Sequence, residues 1–262
     1  PKRQIGNPKP RIFRLEKDQA LINRLGFNND GLDIVANRIS ENIPNGILGI
    51  NIGPNKETKN KTNDFLKCLS ILHSKADYIT VNISSPNTEG LRDFHDKSSL
   101  SKLLGTLVSE KKKKRINKPI FIKISPDIKN KDIENISELI LKNNIEGIII
   151  SNTSDGNREN LIDSKKNENG GLSGHPIKDI STEIIKKFYK LNRGKTSIIG
   201  VGGVDSGQSA FEKISAGASA VQLYTGMIYK GPIIVNEIKK SLIQILKKEK
   251  IKNITEAVGI NS

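Results

Sequence analysis

The sequence predicts a parallel α/β fold, a TIM (β/α)8 barrel with about six of its eight strands in this chain. Three observations predict it. Six short apolar runs alternate with longer amphipathic stretches, the order of a parallel sheet wrapped in helices. The runs are apolar nearly throughout, rather than at every second residue, as strands buried on both faces are. Each run also ends, on its C-terminal side, in small polar residues or glycine. In such folds that is the face that carries the site.

The predicted strands are ILGINI (47–52), DYITVNI (77–83), PIFIKI (119–124), EGIIIS (146–151), SIIGV (197–201) and SAVQLY (219–224). Helical patterns fill the intervals 30–43, 61–74, 98–114, 131–144, 178–191 and 206–216. Asp30 is a candidate cap for the first, and Gly217 a stop for the last. A final helix follows Gly231-Pro232 and runs to about 248. Two long connections, 84–97 and 153–177, read as loops, of a length that binding loops and lids have. No domain-scale linker interrupts the pattern, so residues 1–262 are read as a single barrel domain. An open doubly wound sheet shows the same alternation; closing a barrel requires two more strands ahead of residue 1.

Composition narrows the classes. The chain has 43 Lys and Arg against 28 Asp and Glu, a formal charge of +15. The lysines are spread over the polar faces of helices, and the densest run, Lys111 to Arg115, closes a helix, where cations suit the dipole. Aromatic residues are 4% of the chain, too few for base-stacking platforms. No nucleic-acid partner is expected. The single cysteine, Cys68 in FLKCLSIL, excludes an internal disulfide framework and a cysteine-built zinc site, and no other metal-ligand spacing occurs. It reads as a small buried apolar residue. No run of 18 apolar residues encodes a membrane-spanning helix.

The chemistry gathers at the strand ends. These are Asn51-Ile52-Gly53, Asn82-Ile83-Ser84-Ser85, Lys123-Ile124-Ser125, Ser151-Asn152-Thr153, Gly202-Gly203 and Tyr224-Thr225-Gly226. Gly200-Val201-Gly202-Gly203 before a helix reads as a phosphate cradle, because glycines let backbone amides approach an anion. With Tyr224-Thr225-Gly226 it occupies the last two strand–loop units, the usual phosphate site of a barrel. Lys123 on a buried strand calls for an anion or an electron-rich ring as partner. Asn82, Asn87 and Ser85 form the densest polar cluster, and Asn side chains offer paired donors and acceptors. His73, His95 and His175 lack the context of a serine-hydrolase triad.

These residues carry a resemblance. NRLGFNNDG (23–31), LGINIGPNK (48–56), NISSPNTEGLR (82–92), FIKISPD (121–127), SNT (151–153), GGLSGHP (170–176), and IIGVGGVDSG with AGASAVQLYTG (198–226) resemble dihydroorotate dehydrogenases of class 2, in family order and nearly end to end. The resemblance implies an FMN-binding barrel that oxidises (S)-dihydroorotate to orotate in pyrimidine (UMP) biosynthesis. Hydride leaves C6 for FMN, a base takes the C5 proton, and a quinone reoxidises the flavin. Ser85 matches the catalytic base, and class 1 enzymes carry cysteine there. Thr88 and Phe27 match residues flanking its proton relay. Asn23, Arg24, Leu25, Gly26, Phe27, Asn82, Asn87, Asn152 and Thr153 match substrate positions. Asn51, Asn82, Lys123, Ser151, Gly174, Gly203, Tyr224 and Thr225 match flavin positions. Ser151 stands where threonine is common, and His175 where lysine or arginine is usual.

The same resemblance implies an upstream pair of amphipathic helices and two upstream strands, so the chain reads as N-terminally truncated. Peripheral attachment to an inner (cytoplasmic or mitochondrial) membrane would come through that upstream segment, and these residues alone read as soluble. A soluble class 1 relative using fumarate or NAD, an inactive remnant, and a phosphate-binding isomerase or aldolase are the alternatives.

Overall fold

The helix-facing residues of the central strands explain the architecture. The computed structural model describes residues 1–85 and 90–262. In chain order the elements are β1 (Ile12–Leu15), β2 (Ala20–Asn23), α1 (Leu32–Glu41), β3 (Gly49–Ile52), α2 (Lys61–Leu72), β4 (Tyr78–Asn82), α3 (Lys97–Lys113), β5 (Ile120–Ile124), α4 (Asn130–Lys142), β6 (Gly147–Ile150), β7 (Gly171–Gly174), α5 (Lys178–Asn192), β8 (Ser197–Val201), α6 (Gly207–Ser215), β9 (Ala220–Gln222), α7 (Thr225–Lys230) and α8 (Ile234–Lys248). Strands β3-β4-β5-β6-β8-β9 form one parallel sheet in that order, and β1-β2-β7 a small antiparallel sheet. The six parallel strands with their helices make a half-barrel, part of a TIM barrel.

One parity of the strands is uniformly branched and aliphatic. Ile79, Val81, Ile120, Ile122, Ile124, Ile148, Ile150 and Ile198 are fully buried and join Phe65, Leu69, Leu103, Leu107, Ile136, Ile140 and Phe188 of the helices in one core. Burial of each such side chain contributes about 1.5–3 kcal/mol. The other parity lines the inside of the half-barrel and is mixed. Tyr78 and Phe121 meet edge to face there, centroids 5.3 Å apart. Gly49 and Gly147 give these rings their space: a Cβ at either would lie 2.0 Å from the neighbouring ring. Gln222 on the last strand donates to the Tyr78 hydroxyl on the second at 3.2 Å, so the sheet curls rather than lying open and flat.

All six predicted parallel strands and all seven predicted helices form, with ends shifted by a few residues. Four details differ. The connection read as a loop over 153–177 contains β7, which pairs with β2 through Ala20↔Gly174 and Asn23↔Gly171. The β1–β2 hairpin was not expected; its four-residue strands are too short to show a period and are held by distant β7. Asp30 does not cap α1. Gly31 is at the cap, with Asn29 Oδ1 accepting from its N–H at 2.8 Å, and Asp30 pairs with Arg38 at 2.9 Å. The last strand ends at Gln222, and Thr225 opens α7. Gly217 does follow the end of α6, with φ +126.

Candidate active site

A cleft opens at the C-terminal ends of the parallel strands, between them and the small sheet. Its empty space is about 840 Å³ counting the open mouth. Nine predicted site residues line it: Asn23, Lys123, Ser151, Asn152, Thr153, Gly174, Gly203, Tyr224 and Thr225. Register brings them together. Asn82 and Lys123 are direct neighbours across β4 and β5, and the Ser151 N–H donates to Val201 O at 2.9 Å, joining the ends of β6 and β8.

A buried amide–hydroxyl network occupies the floor beside the cleft. Asn82 Oδ1 accepts from the Ser84 hydroxyl at 2.9 Å and from the Ser84 N–H at 3.2 Å. Asn152 Nδ2 donates to Ser84 Oγ at 2.9 Å, and its Oδ1 accepts from the Thr153 N–H at 2.8 Å. Ser84 and Asn82 are buried, so each amide is fixed in one orientation by its partners. Ser85 follows, also buried. Asn87 and Thr88 lie outside the described residues. Arg92 secures the far end of this loop. Its guanidinium pairs with Asp127 at 3.2 Å and Asp155 at 2.9 Å, and Nε donates to Ser84 O at 3.3 Å.

Lys123 is half-buried on β5 and meets no hydrogen-bond or ion-pair partner among the described residues. Burial pushes its pKa down. An ammonium so placed lacks only an electron-rich or anionic neighbour. The wall opposite is set by glycine. Gly174 (φ +100) and Gly203 (φ +70) have backbone conformations that side chains rarely adopt, and a Cβ would strike Gln19 O at 2.4 Å or the Lys178 side chain at 2.5 Å. The Gly203 N–H has no acceptor among the described residues. Thr225 Oγ1 lies 2.8 Å from Ser173 Oγ. A cation and a glycine-turn amide on one cleft, both without a partner among the described residues, suit a ligand with an electron-rich ring and a phosphate. FMN has both, so the residues fit it.

Some predicted residues lie apart from this cleft. Asn51 and Phe27 line a second cavity with Gly53, Pro54 and Cys68, along edge strand β3. Arg24 pairs with Glu168 at 3.0 Å and covers the Phe13 ring at 4.5 Å, tying the 23–31 segment to the 153–170 connection. Leu25 O accepts the Asn7 N–H, and Gly26 turns the chain with φ +72. Others escaped the sequence reading. Ser173, Asp205 and Tyr229 line the cleft. Asp205 sits 3.2 Å from His175 Nδ1, and both residues line the cleft. The Tyr229 hydroxyl lies 3.0 Å from Leu15 O and 2.9 Å from Ala20 O, which share its single proton, docking α7 on the small sheet. The spacing of these residues along the chain gave no signal; β7 itself was hidden in a polar stretch.

Residues 1–246 match the family model described as dihydroorotate dehydrogenase. The chain belongs to the dihydroorotate dehydrogenase family. A dihydroorotate dehydrogenase (quinone) from Bartonella tribocorum is 44% identical over 261 residues, spanning 98% of this chain and 72% of the relative. The mitochondrial dihydroorotate dehydrogenase (quinone) of Mus musculus is 43% identical over 274 residues, covering 100% and 69%. Among solved structures, DHODH from Eimeria tenella in complex with ferulenol superposes with a TM-score of 0.95 at 38% identity, covering 100% of this chain and 76% of that one. The ligand-free Eimeria enzyme gives 0.94 and covers 79%. The chain is thus a member of an oxidoreductase family, most similar in these comparisons to the quinone type. No helix of the described residues is long and apolar enough to cross a membrane.

Proposed function

We propose that this chain is the FMN-binding barrel domain of a quinone-linked enzyme that oxidises (S)-dihydroorotate to orotate. The observation that carries the reading is the cleft itself. Lys123, Asn152 and the Gly203 turn line one space at the strand ends, and Asn152 is tied to the buried Ser84 and Asn82 beside it. FMN bound there would supply the acceptor for the C6 hydride and deliver the electrons to a quinone.

The chain's own residues divide the remaining work. Ser85 takes the C5 proton, and because a serine hydroxyl is a weak base, it passes that proton onward through hydrogen bonds. Asn82, Asn152 and Thr153, with Asn87, hold the substrate's alternating donors and acceptors. Asn23 borders the substrate from the small-sheet side, and Arg24, Leu25, Gly26 and Phe27 belong to the same substrate set by family position. Lys123 would meet the flavin of bound FMN, where a cation would stabilise negative charge on an electron-rich ring. Gly203 and Thr225 would hold its phosphate, and Ser151, Gly174 and Tyr224 would hold the remainder. Asn51 belongs to the same flavin set by family position; it lies on edge strand β3, beside the second cavity. Attachment to a membrane surface belongs to this reading as a property of the quinone-linked family.

The test is spectroscopic. The purified protein should carry a flavin absorbance that bleaches on anaerobic addition of dihydroorotate and returns with a short-chain quinone. A folded protein that binds FMN yet is not bleached by dihydroorotate would remove the substrate assignment. Reoxidation by fumarate or NAD in place of quinone would move the chain to the soluble class.

A further inference from the structure

Behind the Gly202–Gly203 turn lies a side chain that the reaction does not use. Lys213, in the last turn of α6, is fully buried. Its ammonium donates to Thr182 Oγ1 at 3.0 Å, to Lys178 O at 3.3 Å, and to the Ser181 hydroxyl through a short contact. All three acceptors are neutral. The seat in α6 favours a cation, but the rest of the setting opposes it. The acceptors belong to the first turn of α5, whose dipole repels positive charge. Burial first, and the Lys178 ammonium next, push Lys213 down to about 7, against partial compensation from Asp179 and Glu212. A side chain kept only for packing would be stable as methionine or leucine.

The hydrogen bonds show what this lysine reaches. Ser181 Oγ lies 3.2 Å from Gly202 O and 3.0 Å from Lys178 O. Lys213 already donates to Lys178 O and to Ser181 Oγ, which turns the one serine proton toward Gly202 O. A trans peptide is planar, with its C=O and N–H pointing in opposite directions. Holding Gly202 O against Ser181 therefore aims the Gly203 N–H away from α5, on the side of the cleft that Gly203 lines.

We propose that Lys213 is a positioning residue for the cofactor's phosphate: through its hydrogen bond to Ser181 it locks the Gly202–Gly203 peptide with its N–H toward the cleft. The proposal rests on the FMN reading above. It predicts an effect confined to the phosphate, so riboflavin, which has the same ring and no phosphate, is the control.

The experiment titrates the full chain, freed of flavin, with FMN and with riboflavin, following quenching of flavin fluorescence. The wild type should prefer FMN. Lys213→Met should weaken FMN binding by about ten-fold or more while riboflavin affinity moves less than about three-fold, as expected when an amide is no longer held toward the phosphate. Lys213→Arg should restore most of the preference, and Ser181→Ala should lose part of it. Equal weakening of both flavins, or an unchanged ratio, overturns the proposal. Should Lys213→Met not fold, Ser181→Ala decides alone, and an unchanged ratio there has the same force. A wild type that binds both flavins equally well overturns the phosphate role while leaving the flavin site intact. A wild type that binds neither overturns the FMN reading itself.

Discussion

Lys123 and Ser85 show what single residues contribute. Lys123 is held inside the half-barrel with no counter-charge among the described residues, and burial pushes its pKa down. Its replacement by alanine should weaken FMN retention or slow flavin reduction while leaving the fold intact, because no native hydrogen bond is lost. Flavin content per chain and anaerobic reduction rates check this; normal values for both would refute a flavin contact. Ser85→Ala should keep FMN but slow reduction by dihydroorotate by roughly a hundred-fold or more, the size of a lost general base. Stopped-flow bleaching of the flavin absorbance measures it; unchanged kinetics would remove Ser85 from the base role. Both residues were legible in the sequence, Lys123 as a costly lysine on an apolar strand and Ser85 from the family pattern. Asp205 and Ser173 were not, since their meaning comes from His175 and Thr225 across the cleft.

At the level of elements, three strand ends are fastened by one side chain. Arg92 reaches Asp127 beyond β5, Asp155 beyond β6, and the carbonyl of Ser84 beyond β4. Asp127 in turn accepts from the Ser154 hydroxyl through a short contact and from the Asp155 N–H at 2.8 Å. The ion pairs are partly exposed, so Arg92→Ala should reduce stability by only about 1 kcal/mol. It should lower kcat about ten-fold all the same, because the segment carrying Ser85 would lose its alignment. Thermal melting beside steady-state kinetics separates the two; a large loss of stability with unchanged kcat per folded molecule would make Arg92 a structural residue. The parallel strands and their helices were readable because their aliphatic parity is continuous. The β1-β2-β7 sheet was not, because four-residue strands take their stability from partners roughly 150 positions away.

For the molecule as a whole, two buried cationic groups set a pH dependence. Lys213 has its pKa lowered from 10.5 to about 7, and His95 from 6.5 to about 4, by burial and then by Arg92. A group whose folded pKa is depressed in this way binds its proton more readily in the unfolded chain. Stability therefore falls as pH drops from about 10.5 to 7 through Lys213, by an amount on the order of 5 kcal/mol. It falls again from about 6.5 to 4 through His95, by roughly 3 kcal/mol. Urea unfolding of the flavin-free protein across this range should show both declines. Lys213→Met should flatten the upper one and His95→Leu the lower. A stability flat from pH 10 to 7 would contradict the buried setting of Lys213. Of the cations behind the formal charge of +15, Lys97, Lys111, Lys114 and Lys178 pair with carboxylates.

The sequence by itself determined the alternation of strands and helices, the polar strand ends and the family, because periodicity, apolar runs and motif order are local properties of the chain. Tertiary structure decided which of those polar residues share a space. It gathered nine of them on one cleft, set Asn51 and Phe27 along a second cavity, and converted a lysine in an ordinary helical pattern into a buried hydrogen-bond donor behind a glycine turn. Those outcomes depend on register between strands and on which helix covers which loop, and both are fixed only when distant segments pack.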